Sequence, residues 1–172
     1  MAINGKSYCR VVLIVWSMIA IGLLTSCGSS GCYENRSSIP LAKLYAYNMP
    51  SQAVSVDSIT VYGIGQSADS LLLDAARNVS SMYLPFRSDA DTTRYVIRYD
   101  LLPSTIYNDT LTFIYRRYPY FISGDCGVVF NYTVDSFSYT KNMLDSAALV
   151  VPEVTNSEVE TVQLFYYVVS EE

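Results

Sequence analysis

The chain has 172 residues, of which 11 are basic, 16 acidic and none histidine, for a net charge of −5. The acidic balance argues against nucleic acid and against electrostatic adhesion to an anionic membrane surface. The missing histidine removes the usual general base and the commonest metal ligand. Sixteen tyrosines, with plentiful Thr, Val and Ile, favour strands over helices.

At the amino terminus, Lys6 and Arg10 precede an uncharged run from Val11 to Leu24. A basic segment followed by a short apolar one is the layout of a secretory leader, here predicted over 1–26. The run is too short, at about 1.5 Å per residue, to cross a hydrocarbon core roughly 30 Å thick. It ends in Leu24-Thr25-Ser26-Cys27, which resembles the bacterial lipobox. The resemblance implies cleavage before Cys27 and acylation of its sulfur and its new amino terminus, and two or more acyl chains suffice for stable anchoring. The alternative is a plain leader with a chance cysteine. A flexible tether, Gly28-Ser29-Ser30-Gly31, follows inside a linking segment 27–38. From Cys27 onward the chain keeps 9 basic and 16 acidic residues, a balance of −7. In Bacteroidetes lipoproteins, acidic residues just after the cysteine tend to accompany export to the cell surface. No such run follows Cys27, so the expected location is the outer membrane, held by the lipid anchor and facing the periplasm.

Cys9 leaves with the leader and Cys27 is lipidated, so Cys32 and Cys126 remain. An even pair in an oxidising compartment predicts a disulfide between them. It would close a loop of 94 positions and, with only five residues from Cys27 to Cys32, hold the domain close to the bilayer. Two buried free thiols are the alternative. A redox role is disfavoured because the pair is not C-x-x-C and has no basic neighbour to lower a thiol pKa.

From residue 39 to 172 the pattern is strand, turn, strand. Leu41 to Tyr47 alternates loosely before the turn signal Asn48-Met49-Pro50. Ser58 to Ile64 reads as a strand with Ile59, Val61 and Gly63 on one side. Ser70 to Ala75 reads as a strand or one helical turn, and Met82 to Phe86, interrupted by Pro85, as an edge strand. Thr93 to Tyr99 alternates cleanly, with Thr93, Tyr95, Ile97 and Tyr99 on one face. Thr110 to Arg116 alternates again, with Leu111, Phe113 and Tyr115 inward, and the two read as antiparallel partners. Tyr118 to Ser123, Val128 to Tyr139, Ala147 to Val151 and Val162 to Val169 complete the set. Eight or nine short strands with frequent turn signals predict one all-β domain, an antiparallel β-sandwich of Ig-like or similar type.

Several of these pieces recur in order in a known family. They are Cys32 near the anchor, Val61-Tyr62-Gly63-Ile64-Gly65, Asp69-Ser70-Leu71, Leu84-Pro85, Asp109-Thr110-Leu111, and Phe121-Ile122-Ser123 leading to Cys126-Gly127. The chain thereby resembles a family of Bacteroidetes lipoproteins of unknown function. The resemblance implies a small periplasmic β-domain with a linking disulfide, and brings neither catalytic residues nor a ligand.

Three patterns invite chemistry. Six of the ten aspartates precede Ser or Thr: Asp57-Ser58, Asp69-Ser70, Asp91-Thr92, Asp109-Thr110, Asp135-Ser136 and Asp145-Ser146. They resemble the Asp-Ser/Thr-apolar motif of O-glycosylation in Bacteroidetes, which makes Ser58, Ser70, Thr92, Thr110 and Ser146 candidate sites, Ser70 and Thr92 the better exposed. The competing account is that these pairs start strands after turns, their side chains bonding nearby backbone. Asp89-x-Asp91 offers oxygens to Ca²⁺ but lacks the following Gly and a bidentate Glu, so a solvated loop is preferred and no metal is expected. Finally, Tyr115, Arg116, Arg117, Tyr118 and Tyr120 concentrate rings and guanidinium groups suited to stacking on sugars or anchoring a protein. The competing account puts the tyrosines in the core.

With no nucleophile motif, no phosphate loop and no cofactor signature, the expected function is non-enzymatic. It is that of a lipid-anchored module with an envelope protein partner. The alternative is a carbohydrate- or peptide-binding module using 115–121.

Overall fold

The structure is a computed structural model and describes residues 31–65 and 70–168. The leader, Cys27 and Asp69 lie outside the described residues. Two compact units divide the chain, Met1–Tyr33 and Glu34–Glu172, and the architecture below is that of the second.

Ten strands form among the described residues: β1 (Leu41–Ala46), β2 (Ile59–Ile64), β3 (Ser70–Ala76), β4 (Ser81–Tyr83), β5 (Thr92–Tyr99), β6 (Asp109–Ser123), β7 (Gly127–Tyr139), β8 (Ser146–Leu149), β9 (Glu153–Val154) and β10 (Glu160–Tyr166). They make two sheets, ordered β4-β1-β10-β8 and β3-β2-β5-β6-β7-β9. The fold is the expected β-sandwich, and no α-helix occurs among the described residues. The 70–76 segment is a strand rather than a helical turn. Its neighbour β4, ahead of Pro85, is an edge strand as expected.

Two expectations need correction. The sandwich is not wholly antiparallel, because β1 pairs with β10 in parallel. Parallel neighbours need a long crossover, and here nearly the whole domain lies between the first and last strands. Nor are all strands short. The segments 110–116 and 118–123 are one strand of 15 residues that runs through Pro119. Beyond Ile114 the β5 side of β6 has no strand partner among the described residues. A proline without an N–H is tolerated on such an edge.

Alternation places the core. Tyr95, Ile97, Leu111, Phe113 and Tyr115 turn inward from the larger sheet to meet Ala42, Leu44, Val162, Leu164 and Tyr166 of the smaller. Phe86, from the loop after β4, lies flat on Tyr115 at 4.2 Å between ring centres and edge-on to Tyr132. Three hydrogen bonds close a ring beneath it. Arg87 N–H donates to Thr93 Oγ1, Thr93 shares a hydrogen with the Tyr115 hydroxyl, and Tyr115 donates to the Arg87 carbonyl. Tyr95 likewise donates to the Pro85 carbonyl. Burial pushes the Tyr95 and Tyr115 phenols up, so each stays a neutral donor.

At the base of β6, Asp109 is fully buried. Its carboxyl group accepts from Thr140 Oγ1 (2.9 Å), the backbone N–H groups of Asn142, Met143 and Leu144 (2.8, 2.9 and 2.8 Å), and the Tyr99 hydroxyl (3.1 Å). Tyr99 in turn meets the hydroxyl of Tyr166, on the other sheet, at 3.1 Å. Replacing Asp109 with Ala leaves those buried donors unpaired. Urea unfolding of Asp109→Ala is expected to show a loss of roughly 3 kcal/mol or more. A loss below about 1 kcal/mol would mean that water replaces the carboxyl group without penalty.

A second carboxylate ties β2, β3 and β5 together. Asp100 accepts from Thr60 (2.7 Å) and from Arg98 (2.6 Å), while Thr60 accepts from Ala75 N–H. Desolvation would raise the Asp100 pKa, but the bonds from Thr60 and Arg98 outweigh it and hold the group below its usual value. A carboxyl with a depressed folded pKa stabilises above its unfolded value, about 3.9, and loses that contribution as pH falls through the folded value. The stability gap between wild type and Asp100→Asn should therefore be flat above about pH 5 and shrink below about pH 4. A gap that widens in acid would contradict this assignment.

Candidate functional site

Strands β6 and β7 outgrow their sheet. From Tyr115 to Ser123, β6 pairs with β7 from Val134 back to Gly127, while β9 joins β7 only at Tyr132 and Thr133. The result is a two-stranded arm closed by the turn Ser123–Gly127. Gly127 there adopts φ +75°, a conformation that favours glycine. Ser123 Oγ accepts from Cys126 N–H inside the turn. Cys126 is buried, and both it and Cys32 are disulfide-bonded, the pairing expected from the sequence.

Register decides which face each side chain takes, because residues directly opposite one another share a face. The inward face of Leu111, Phe113 and Tyr115 continues along β6 as Arg117, Pro119 and Phe121. Opposite Pro119 stands Phe130, and opposite Phe121 stands Val128. These side chains have left the core: Phe121 is 63% exposed, Val128 56% and Phe130 45%. The Arg117 guanidinium lies 5.7 Å from the Phe130 ring centre. Beside them an open groove of about 500 Å³ is lined by Arg36 to Ile39, Pro85, Phe86, Val128 to Phe130 and Tyr132.

The other face carries Arg116, Tyr118 and Tyr120. Arg116 grips Asp135 with two nitrogens, at 2.7 to 3.1 Å, and its guanidinium holds the Asp135 carboxyl below the usual carboxylate range. Tyr118 donates to Glu153 Oε2 (3.1 Å). On the same face Asn131 is buried and accepts from the Ser38 hydroxyl at 2.7 Å.

The five-residue surface expected from the sequence is thus divided. Tyr115 is 1% exposed and belongs to the core, so it is removed from the surface; as part of the alternating run from Leu111 it had no other place to go. Arg116, Tyr118 and Tyr120 share one open face and Arg117 the other. Val128 and Phe130 escaped notice as site residues, and Phe121 entered only as the end of the 115–121 segment. Their signal was present in the apolar period of two that runs on past the length one core can cover.

Five of the six Asp-Ser/Thr pairs sit where strands begin, and Asp135-Ser136 lies inside β7. Ser70, Thr92, Asp109 and Ser146 open β3, β5, β6 and β8, and Ser58 immediately precedes β2. Asp57 accepts from Asn78 N–H and Asp145 from Tyr167 N–H, 21 and 22 positions away, so these aspartates tie backbone distant in sequence rather than the nearby backbone expected of such pairs. Ser70 is exposed, whereas Ser58, Thr92, Thr110 and Ser146 are half-buried. In the β4–β5 loop, Asp89 is held by Arg87 at 2.9 to 3.1 Å. Glu160 opens β10, where it takes the Tyr45 hydroxyl and Lys43.

Fold and site together define a two-sheet β-sandwich with a protruding, disulfide-tied arm. The chain belongs to the family of unknown function DUF6452, whose model matches residues 58–166, more than half its length. That match holds the Val61–Gly65, Asp109–Leu111 and Cys126-Gly127 pieces of the resemblance and begins after Cys32. Comparison with curated proteins and with solved structures found no match.

The disulfide closes most of the domain into a loop, so its loss should cost on the order of 2–4 kcal/mol in the chain-entropy account. Denaturant unfolding of Cys32→Ser with Cys126→Ser measures this. A variant as stable as wild type would show that the bond constrains nothing in the unfolded chain.

Proposed function

We propose that this protein is a lipoprotein of the Bacteroidetes outer membrane, acylated at Cys27 and facing the periplasm. Its sandwich works without catalysis by presenting the β6–β7 arm to another envelope protein. The leader, the lipobox-like Leu24–Cys27 and the acid-free tether support the anchor and its orientation. The lack of histidine supports a role outside catalysis. One observation carries the binding role: a strand pair that continues well past its sheet and bears half-exposed Tyr118 and Tyr120 beside Arg116. Aromatic rings flanked by arginine are the side chains that anchor interfaces. Exposed Ser70 is the best-placed of the candidate O-glycosylation sites.

The same alternate tyrosines favour a second reading, a module that stacks its rings on a sugar or an extended peptide.

In-cell crosslinking from a photoreactive residue at position 120, read by mass spectrometry, separates the two. One recurrent protein adduct, lost in Arg116→Ala with Tyr118→Ala, is the expected result. Adducts confined to glycan or short peptides would select the second reading. Scattered adducts insensitive to the double substitution would remove the arm as a binding surface.

A further inference from the structure

The inner face of the arm has a different character from its outer face. Pro119, Phe121, Val128 and Phe130 stand opposite one another in two cross-strand pairs, three of them about half exposed or more. Arg117 at their inner end is the neighbouring cation. This apolar strip ends at the turn that holds Cys126.

We infer that the inner face of the arm's tip docks on the surface of a phospholipid bilayer. The inference rests on the acylation of Cys27 proposed above. The length of chain outside the described residues selects this occupant. Cys32 is five steps along the chain from Cys27, and even fully extended those steps reach at most about 18 Å. Cys32 is bonded to Cys126, two residues from Val128 and five from Phe121. An acylated Cys27 lies at the lipid–water boundary. The strip is then tethered near that boundary by a covalent path too short to let it leave.

Phenylalanine and tyrosine rings settle in the headgroup region, where the apolar body leaves water and any polar tip stays wet. The net charge of −7 from Cys27 onward opposes attraction to anionic lipid. Docking must therefore come from the apolar strip, with Arg117 placed to meet headgroup phosphates, and does not require anionic lipid.

The processed chain offers a clean probe. Its one tryptophan, Trp16, precedes Cys27 and leaves with the leader, so Phe121→Trp makes a single emitter. The full chain, processed and acylated by its producing cell, is reconstituted in phosphatidylcholine vesicles with brominated acyl chains. Leu101→Trp, on the exposed connection before β6, serves as the control. Bromine quenching of the Phe121→Trp protein should exceed that of the control by about threefold or more, with a blue-shifted emission. Adding Val128→Asp should bring it back towards the control.

The mass of the amino-terminal fragment is read in parallel. With acyl groups present, equal quenching at both positions overturns the docking and leaves the anchor standing; this is also the outcome if the strip waits for a protein. An unacylated fragment overturns the anchor, and the docking with it.

Discussion

A buried carboxyl group that makes no ion pair among the described residues sets the terms for this fold. Asp109 begins β6, and its two oxygens take up the backbone N–H groups of Asn142, Met143 and Leu144, the hydroxyl of Thr140 and that of Tyr99. Each of those donors would be costly to bury unpaired. The group therefore orders the connection between β7 and β8, which must leave one sheet and enter the other. The hydroxyl of Tyr99 has given its hydrogen to Asp109, so it accepts from Tyr166, and the bond network crosses from one sheet to the other. Burial above all, with the Asp109 charge adding to it, pushes both phenols up, although the bond with Tyr99 works the other way on Tyr166; neutral hydroxyls in the interior can carry such a relay without adding charge.

A second polar fastening stands where the arm departs. Tyr115 is the last β6 side chain sealed in the core, and its hydroxyl closes a ring of bonds through Thr93 and the backbone of Arg87. Phe86 is pressed on its ring. The loop from the edge strand β4 is thereby pinned against the opposite sheet. Beyond this point Phe121, Val128 and Phe130 are exposed, beside the groove lined by Arg36 to Ile39. Core and arm are one continuous strand pair that changes role at a single residue. Rigid backing from the core is what allows the two-stranded arm to hold its side chains in place, since an isolated hairpin is marginal in water.

What the sequence disclosed follows from how local each signal is. Alternation over Thr93–Tyr99 and Leu111–Tyr115 named the inward side chains of β5 and β6, because a half-buried strand writes its period into consecutive residues. The disulfide followed from elimination among four cysteines. The parallel contact of β1 with β10 has no local signature, as the partners stand 119 positions apart at Leu41 and Glu160. The division of β6 fell between 116 and 118, with Pro119 inside the second piece; in the single strand this proline occupies an edge that needs no N–H there. Asp109-Thr110 resembled a modification motif, and only the distant donors from Tyr99 and from 140–144 reveal why an aspartate stands at that position. Tyr115 was read both as core and as surface, since its run is both the end of one pattern and the start of the other.

The arm makes best sense when its two faces are considered together. A strand pair extended merely to complete a core would stop near Tyr115, and an exposed flat ribbon of aromatic residues invites pairing with other chains. Here Pro119 interrupts the open edge, Arg116 and Asp135 clamp the outer face, and the turn is closed by a buried disulfide cysteine. Those devices limit self-association while leaving rings open on both sides. An inner strip of Phe121, Val128 and Phe130 beside the disulfide-bonded turn would, with the proposed anchor at Cys27, be the side that meets lipid. An outer row of Tyr118 and Tyr120, with Arg116, is then turned away from that surface. Docking on the inner side would fix the orientation of the outer row, and a fixed orientation lowers the entropic cost of meeting a partner confined to the same membrane.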